Sequence, residues 1–175
     1  SKTAANFDRE MTKIQTLVGV NEDKVNSWRK EIRAMSGDVG RGPGELARAL
    51  FVVTSAGERT GEALKIVEQA AKASAVGLGD TATIARAITA AMTAYGKENL
   101  SAAEATEVLL GTVREGNLEA SELAGVLGRV IPLAAQMGVE FGQVGGFLAA
   151  FTRLGVNAQE AVTALRGTLS AALKP

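Results

Sequence analysis

Ile131-Pro132-Leu133-Ala134-Ala135-Gln136-Met137-Gly138-Val139 is the stretch that decides the fold. It reads as the end of a helix that carries a proline inside it and stops at a glycine, the residue that accepts a left-handed conformation without a Cβ clash. A second helix follows, rich in Gly, Ala and Phe, and stops at Gly155. A third opens at Asn157 and carries Ala161-Val162-Thr163-Ala164-Leu165-Arg166. These helices in 123–175 belong to a three-helix unit, the first two closing one copy and the third opening the next.

The same unit occurs upstream. Sliding the chain by 59 residues lays Glu45–Gly96 on Glu104–Gly155 without a gap. Leu50 meets Leu109, Gly57 meets Gly116, Leu64 meets Leu123 and Gly79 meets Gly138. Ala90, Ala91, Thr93 and Gly96 meet Ala149, Ala150, Thr152 and Gly155. A third, partial copy begins with Glu160-Ala161 and Leu165, which resemble Glu104-Ala105 and Leu109. No segment alternates apolar and polar residues as a strand would, so the expected fold is all-α: a bundle of short, glycine-bounded helices. Helices are expected near 44–56, 60–77, 80–95, 101–115, 119–137, 140–154 and 157–173. A unit of this size cannot bury its apolar face alone, so neighbouring copies should stack, as a solenoid or as an irregular single-core bundle. Pro132 should kink or divide its helix, because it removes a backbone donor. Ala73 stands at the matching place in the first copy.

Ahead of the repeat lies an amphipathic lead-in, 1–35. Phe7, Met11, Ile14 and Val18 recur at spacings of 4, 3 and 4, and Val25, Trp28, Ile32 and Met35 continue at 3, 4 and 3. Gly19 and Asn21 argue for a stop and an N-cap between two helices; one long coiled-coil helix is the alternative, since the heptad phase continues through Asn21. Residues 36–44, with four glycines and a proline, read as a linker. The competing reading, a phosphate-cradling loop, lacks both a preceding strand and a following Gly-Lys-Ser/Thr. The expected organisation is thus 1–35, 36–44 and a helical domain 45–175 with units 45–96, 104–155 and 157–175.

Composition excludes much chemistry. There is no Cys and no His, which removes thiolate nucleophiles, disulfides, cysteine zinc sites and the Ser-His-Asp triad. Formal net charge is zero, so nothing global favours nucleic acid or acidic lipid. With aromatics at 4%, the core must be built from Ala, Leu, Val and Ile. The longest uncharged run, Phe141–Thr152, is shorter than the roughly 20 residues a spanning helix needs. There is no signal-peptide pattern, and both ends are expected to be cuts in a longer protein.

Glu115, Glu119 and Glu122 bring carboxylates near one turn, as a glycosidase would need across a cleft, but helix-end charge pairing explains them. Arg129, Arg153 and Arg166 stand in apolar stretches and are expected to snorkel or meet helix C-terminal carbonyls. Arg33, Arg41, Arg48, Arg59 and Arg86 form no stripe. Phe141, Phe147 and Phe151 are expected in the core, as is Leu165, with Arg166 bonded to a neighbouring helix end or carboxylate. No catalytic, cofactor-binding or metal-binding residue is assigned, and no enzyme activity or cofactor is expected.

The Pro132 helix, Phe151-Thr152-Arg153-Leu154-Gly155, the Ala161–Leu169 helix and the closing Leu173-Lys174-Pro175 together resemble the core region of phage tail tape measure proteins. The lead-in Phe7-Asp8, Met11, Ile14 and Leu17 is similar to that family's start. The resemblance implies a structural protein, phage or prophage in origin, that sets tail length during assembly and occupies the tail tube before DNA ejection. It implies tail tube protein, tail assembly chaperones and tail-tip proteins as partners, with self-association possible. It implies a location inside the virion tail, and in the host cytoplasm during assembly. The alternative for the same pattern is a helical-repeat protein-binding module of a cellular protein.

Overall fold

The computed structural model describes residues 2–174. Among them the chain is all-α, with no strand. Its helices are α1 (Lys2–Thr16), α2 (Glu22–Val39), α3 (Pro43–Ser55), α4 (Glu62–Ala75), α5 (Thr81–Tyr95), α6 (Ala102–Glu115), α7 (Ala120–Gln136), α8 (Phe141–Arg153) and α9 (Ala158–Ala172). Two compact units part within α5, Ser1–Thr89 and Ala90–Pro175.

In the first unit, Phe7, Met11 and Ile14 of α1 are buried, and α1 packs chiefly on α3. Their approach is close because α3 begins Pro43-Gly44: a Cβ on Gly44 would come within 3.1 Å of Asn6 Nδ2 and 3.6 Å of the Phe7 backbone nitrogen. Asn21 caps α2, its side-chain oxygen accepting from Lys24 N–H at 2.9 Å, and Glu22 and Asp23 complement the positive helix end. The break at 17–21 is thus real, and the continuous coiled-coil alternative is not adopted. The glycine-rich break is shorter than its composition suggests. Residues 36–39 continue α2, and only Gly40, in the left-handed region at φ 65°, ends it. Gly37 costs about 1 kcal/mol in a helix interior, which burial of Val25, Trp28 and Ile32 along the same helix outweighs.

In the second unit, α6 packs on α8 and α7 on α9, and α8 also meets α9. Ser101 opens α6 with a capping box: its hydroxyl accepts from Glu104 N–H at 3.2 Å while the Glu104 carboxylate accepts from Ser101 N–H at 2.9 Å. Hydrogen bonds from the Ser101 side chain and backbone hold that carboxyl below its ordinary range. α7 ends at Gly138 (φ 73°), with Val139 N–H reaching Ala134 O at 2.9 Å and Gly138 N–H reaching Ala135 O at 3.1 Å. This paired bonding is the Schellman stop that the opening stretch implies. Pro132 does not divide α7, which runs unbroken from Ala120 to Gln136. The carbonyl left without a donor is that of Gly128, and both Gly128 and Pro132 lie on the exposed side, where water can satisfy it.

Five buried threonines follow one pattern. Thr54, Thr89, Thr106, Thr112 and Thr152 each donate to the carbonyl four residues back, at 2.7–2.8 Å. Their hydroxyls are satisfied within the helix, so small polar residues can sit in an otherwise apolar core.

Candidate functional site

The carboxylates near the α6–α7 turn do not converge on a cleft. Glu122 accepts from Glu119 N–H at 2.9 Å, capping α7, and Glu115 pairs with Arg114 at 3.2 Å. All three glutamates are exposed. The described residues contain no acidic cluster arranged to hold a metal ion. No described helix is long and apolar enough to cross a membrane.

The arginines separate by environment. Arg29 and Arg33 lie over the Phe7 ring, at 5.8 and 4.8 Å from its centroid, and Arg29 pairs with Asp8 at 2.7 Å. Arg129 reaches the side-chain amide of Gln159 on α9. Arg48, Arg59 and Arg86 are exposed and do not gather. Leu165 is buried, at 8% exposure, as expected. Arg166 is exposed and forms no hydrogen bond or ion pair among the described residues, so the expected bond to a neighbouring helix end or carboxylate is not made.

Arg41 is the working member of the glycine-rich stretch. Its guanidinium donates to Ser74 O at the end of α4 and lies 3.9 Å from Glu45 on α3. Glu45 in turn accepts from Thr81 Oγ1 at the start of α5, Ser74 Oγ donates to Gly79 O at 2.6 Å, and Ser36 Oγ donates to Arg41 O at 2.5 Å. Residues 36–45 thus fasten four helix ends.

One surface remains unexplained by packing, the open side of α8. Phe141, Val144, Leu148 and Thr152 form its buried stripe. Gly145 belongs to it, and a Cβ there would overlap Thr112 Oγ1 and come within 3.0 Å of Val108 Cγ1, so glycine sets the α6–α8 distance. The opposite side carries Gly142, Gly146 and Ala150, all exposed. It also carries Phe147 and Phe151, half-buried and stacked with ring centroids 4.2 Å apart, and Leu154, which is 80% exposed. Phe141 is core as expected, but Phe147 and Phe151 are not. Helical spacing already separates them: 141, 144, 148 and 152 recur every three or four residues, and 147 and 151 fall off that stripe. Toward α6, away from the phenylalanines, runs a shallow groove of about 220 Å³, lined by Val108, Gly111, Thr112, Glu115, Gly142 and Gly146 among others.

The chain was also compared with known proteins. Over 174 residues, 99% of its length, the chain is 24% identical to a protein named tape measure protein from Pneumococcus phage Dp-1, of which it covers 15%. Over 149 residues, 83% of its length, it is 27% identical to a probable tape measure protein of Clostridium phage phiCD119, of which it covers 16%. It therefore spans about a sixth of the length of these curated relatives. No solved structure matches it. The family described as phage-related minor tail protein matches residues 29–175, most of the chain, and the chain belongs to that family.

Proposed function

We propose that this chain is a structural segment of a tape measure protein, one that occupies the tail tube before DNA ejection and sets tail length during assembly. The observation that carries the reading is the likeness along 99% of the chain to a protein bearing that name. The all-helical architecture supports it, because a ruler needs extent rather than a reaction centre. An α-helix rises about 1.5 Å per residue, so the chain as one helix would span roughly 260 Å, and its packed form far less. On this reading the segment is compact outside the tube and loosely packed or stretched within it. Short helices joined at glycines such as Gly138 and Gly155 let it change form at the joints without unwinding each helix.

The 59-residue units, 45–96 and 104–155, act here as length increments. Tail tube protein, tail assembly chaperones and tail-tip proteins are the partners; the tail interior, and the host cytoplasm before assembly, are the locations. Deleting one 59-residue unit from the phage protein and measuring tails by electron microscopy tests the role. Tails shorter by up to about 90 Å are expected, the length of 59 residues of helix. Tails of unchanged length would overturn it.

A further inference from the structure

We propose that the open side of α8 is the seat of a helix of the α4 type, the first helix of a further three-helix module in the same polypeptide. The proposal rests on how α2 is covered and does not depend on the tail-length reading.

α1–α3 and α7–α9 share one arrangement. α1 packs on α2 and α3, and α2 on α3; likewise α7 packs on α8 and α9, and α8 on α9. At an offset of 119 residues, Val25, Trp28, Ile32 and Met35 of α2 meet Val144, Phe147, Phe151 and Leu154. Three sides of the helix can then be told apart. Val25 and Val144 are both buried, on the side that faces the helix's own module. A second side is buried on α8 alone: Gly145, Ala149 and Thr152 stand where α2 has exposed Asn26, Lys30 and Arg33. It faces α6, since Gly145 is the point of close approach to Thr112 and Val108. The third side is buried on α2 alone. Trp28 and Ile32 are at 2% and 0% exposure, whereas Phe147 and Phe151 are half-open and Leu154 is exposed.

The neighbour that covers this third side of α2 is α4. Side chains fix its course. Lys24, whose Nζ lies 5.2 Å from the Trp28 ring centroid, donates to Arg59 O just ahead of α4. Arg41, just past the end of α2, donates to Ser74 O near the end of α4. α4 therefore runs beside α2 in the same direction, burying Ala63, Leu64, Val67, Ala70 and Ala71. A helix with that register of small and branched apolar residues, laid along α8 in the same direction, covers Phe147 and Phe151 as α4 covers Trp28 and Ile32. An apolar helix side of this kind is ordinarily covered. The Dp-1 relative, of which this chain covers 15%, has length for further modules.

The chain has no Cys, so Phe151→Cys is a clean reporter of cover, read as the rate of thiol labelling. Adding a copy of residues 57–78 after Leu173 reproduces at α9 the connection that joins α3 to α4. Labelling of Cys at 151 should then slow by more than about tenfold, as it does behind locally stable structure. Phe147→Glu in the extended chain should restore the fast rate. So should Leu64→Glu with Val67→Glu made in the added copy alone, which leaves the original helices untouched; circular dichroism checks that they persist. In the whole phage polypeptide the same cysteine should be shielded, as the mass of the labelled peptide would show. Equal labelling with and without the added copy overturns the proposal, and so does shielding that the charged variants leave intact. Ready labelling in the whole polypeptide overturns it too. Shielding that fades on dilution would assign the face to a second copy and likewise overturn it.

Discussion

Laid on one another at an offset of 59 residues, α5 and α8 correspond, yet they bury different sides. α8 buries Gly145 and Thr152; the corresponding Arg86 and Thr93 of α5 are exposed. α5 buries Ile88 and Met92; the corresponding Phe147 and Phe151 of α8 are half-open. The helices also start and stop in step: Thr81–Tyr95 shifted by 59 residues matches Phe141–Arg153 to within one residue at each end. Local sequence sets helix length, because caps and stops act over a single turn. Which side is buried is decided by tertiary packing, and it differs between the two helices.

The largest effect comes from exchanging their residues at one position. Gly145→Arg, which gives α8 the residue of α5, should destabilise the fold by more than about 3 kcal/mol, because it forces a long charged side chain into the α6–α8 contact at Thr112 and Val108. Arg86→Gly should cost about 1 kcal/mol, the price of glycine in an exposed helix. Urea unfolding measures both, and equal losses would show that the two helices are equivalent after all. Leu148→Ala comes next. Leu148 is fully buried in the stripe that defines α8, so a loss of about 2–5 kcal/mol is expected in the same assay.

A smaller contrast lies at the threonines. Thr152 Oγ1 accepts from Asn117 N–H at 3.0 Å and donates to Leu148 O at 2.8 Å. Replacing it by Val keeps the shape and leaves the Asn117 amide without its acceptor, which should cost about 1–3 kcal/mol. Thr93→Val, on the exposed side of α5, should stay within about 0.5 kcal/mol. A thermal melt in which both variants shift alike would contradict the difference in burial.

The smallest effect concerns pH. Tyr95 donates to Val139 O at 2.8 Å and packs against Phe141, and burial pushes its phenol from the ordinary 10.0 up to about 12. The folded state therefore holds the proton more tightly than the unfolded one. The stabilisation is complete below pH 10 and is lost as pH rises through about 12. Because the side chain is only part-buried, solvent screening reduces it to about 1 kcal/mol. Tyr95→Phe should remove this slope in stability between about pH 10 and 12, as chemical denaturation at stepped pH would read.

Much of the architecture was legible before any coordinates. Asn21, Ser101 and Asn157 sit where caps belong, and each side chain accepts from a backbone N–H three residues on. Gly138 and Gly155 end helices where the patterns stop. The reach of α2 through Gly37 was not legible, because propensity is a weak prior that burial elsewhere on the helix overrides. Nor was the polar fastening by Arg41, whose partners Ser74 and Glu45 come from two other helices. The open side of α8 was half-legible: helical spacing separates Phe147 and Phe151 from the buried stripe, but aromatic character alone places them in the core.

By itself, then, the sequence determined the all-helical class, most helix limits and the family likeness, because periodicity, capping chemistry and motif order are properties of contiguous residues. Tertiary structure alone decided which glycines set helix contacts, how Arg41 is used and which side of α8 is left open. Those depend on atoms brought together from distant parts of the chain, where one missing Cβ, as at Gly145, decides whether two helices can touch.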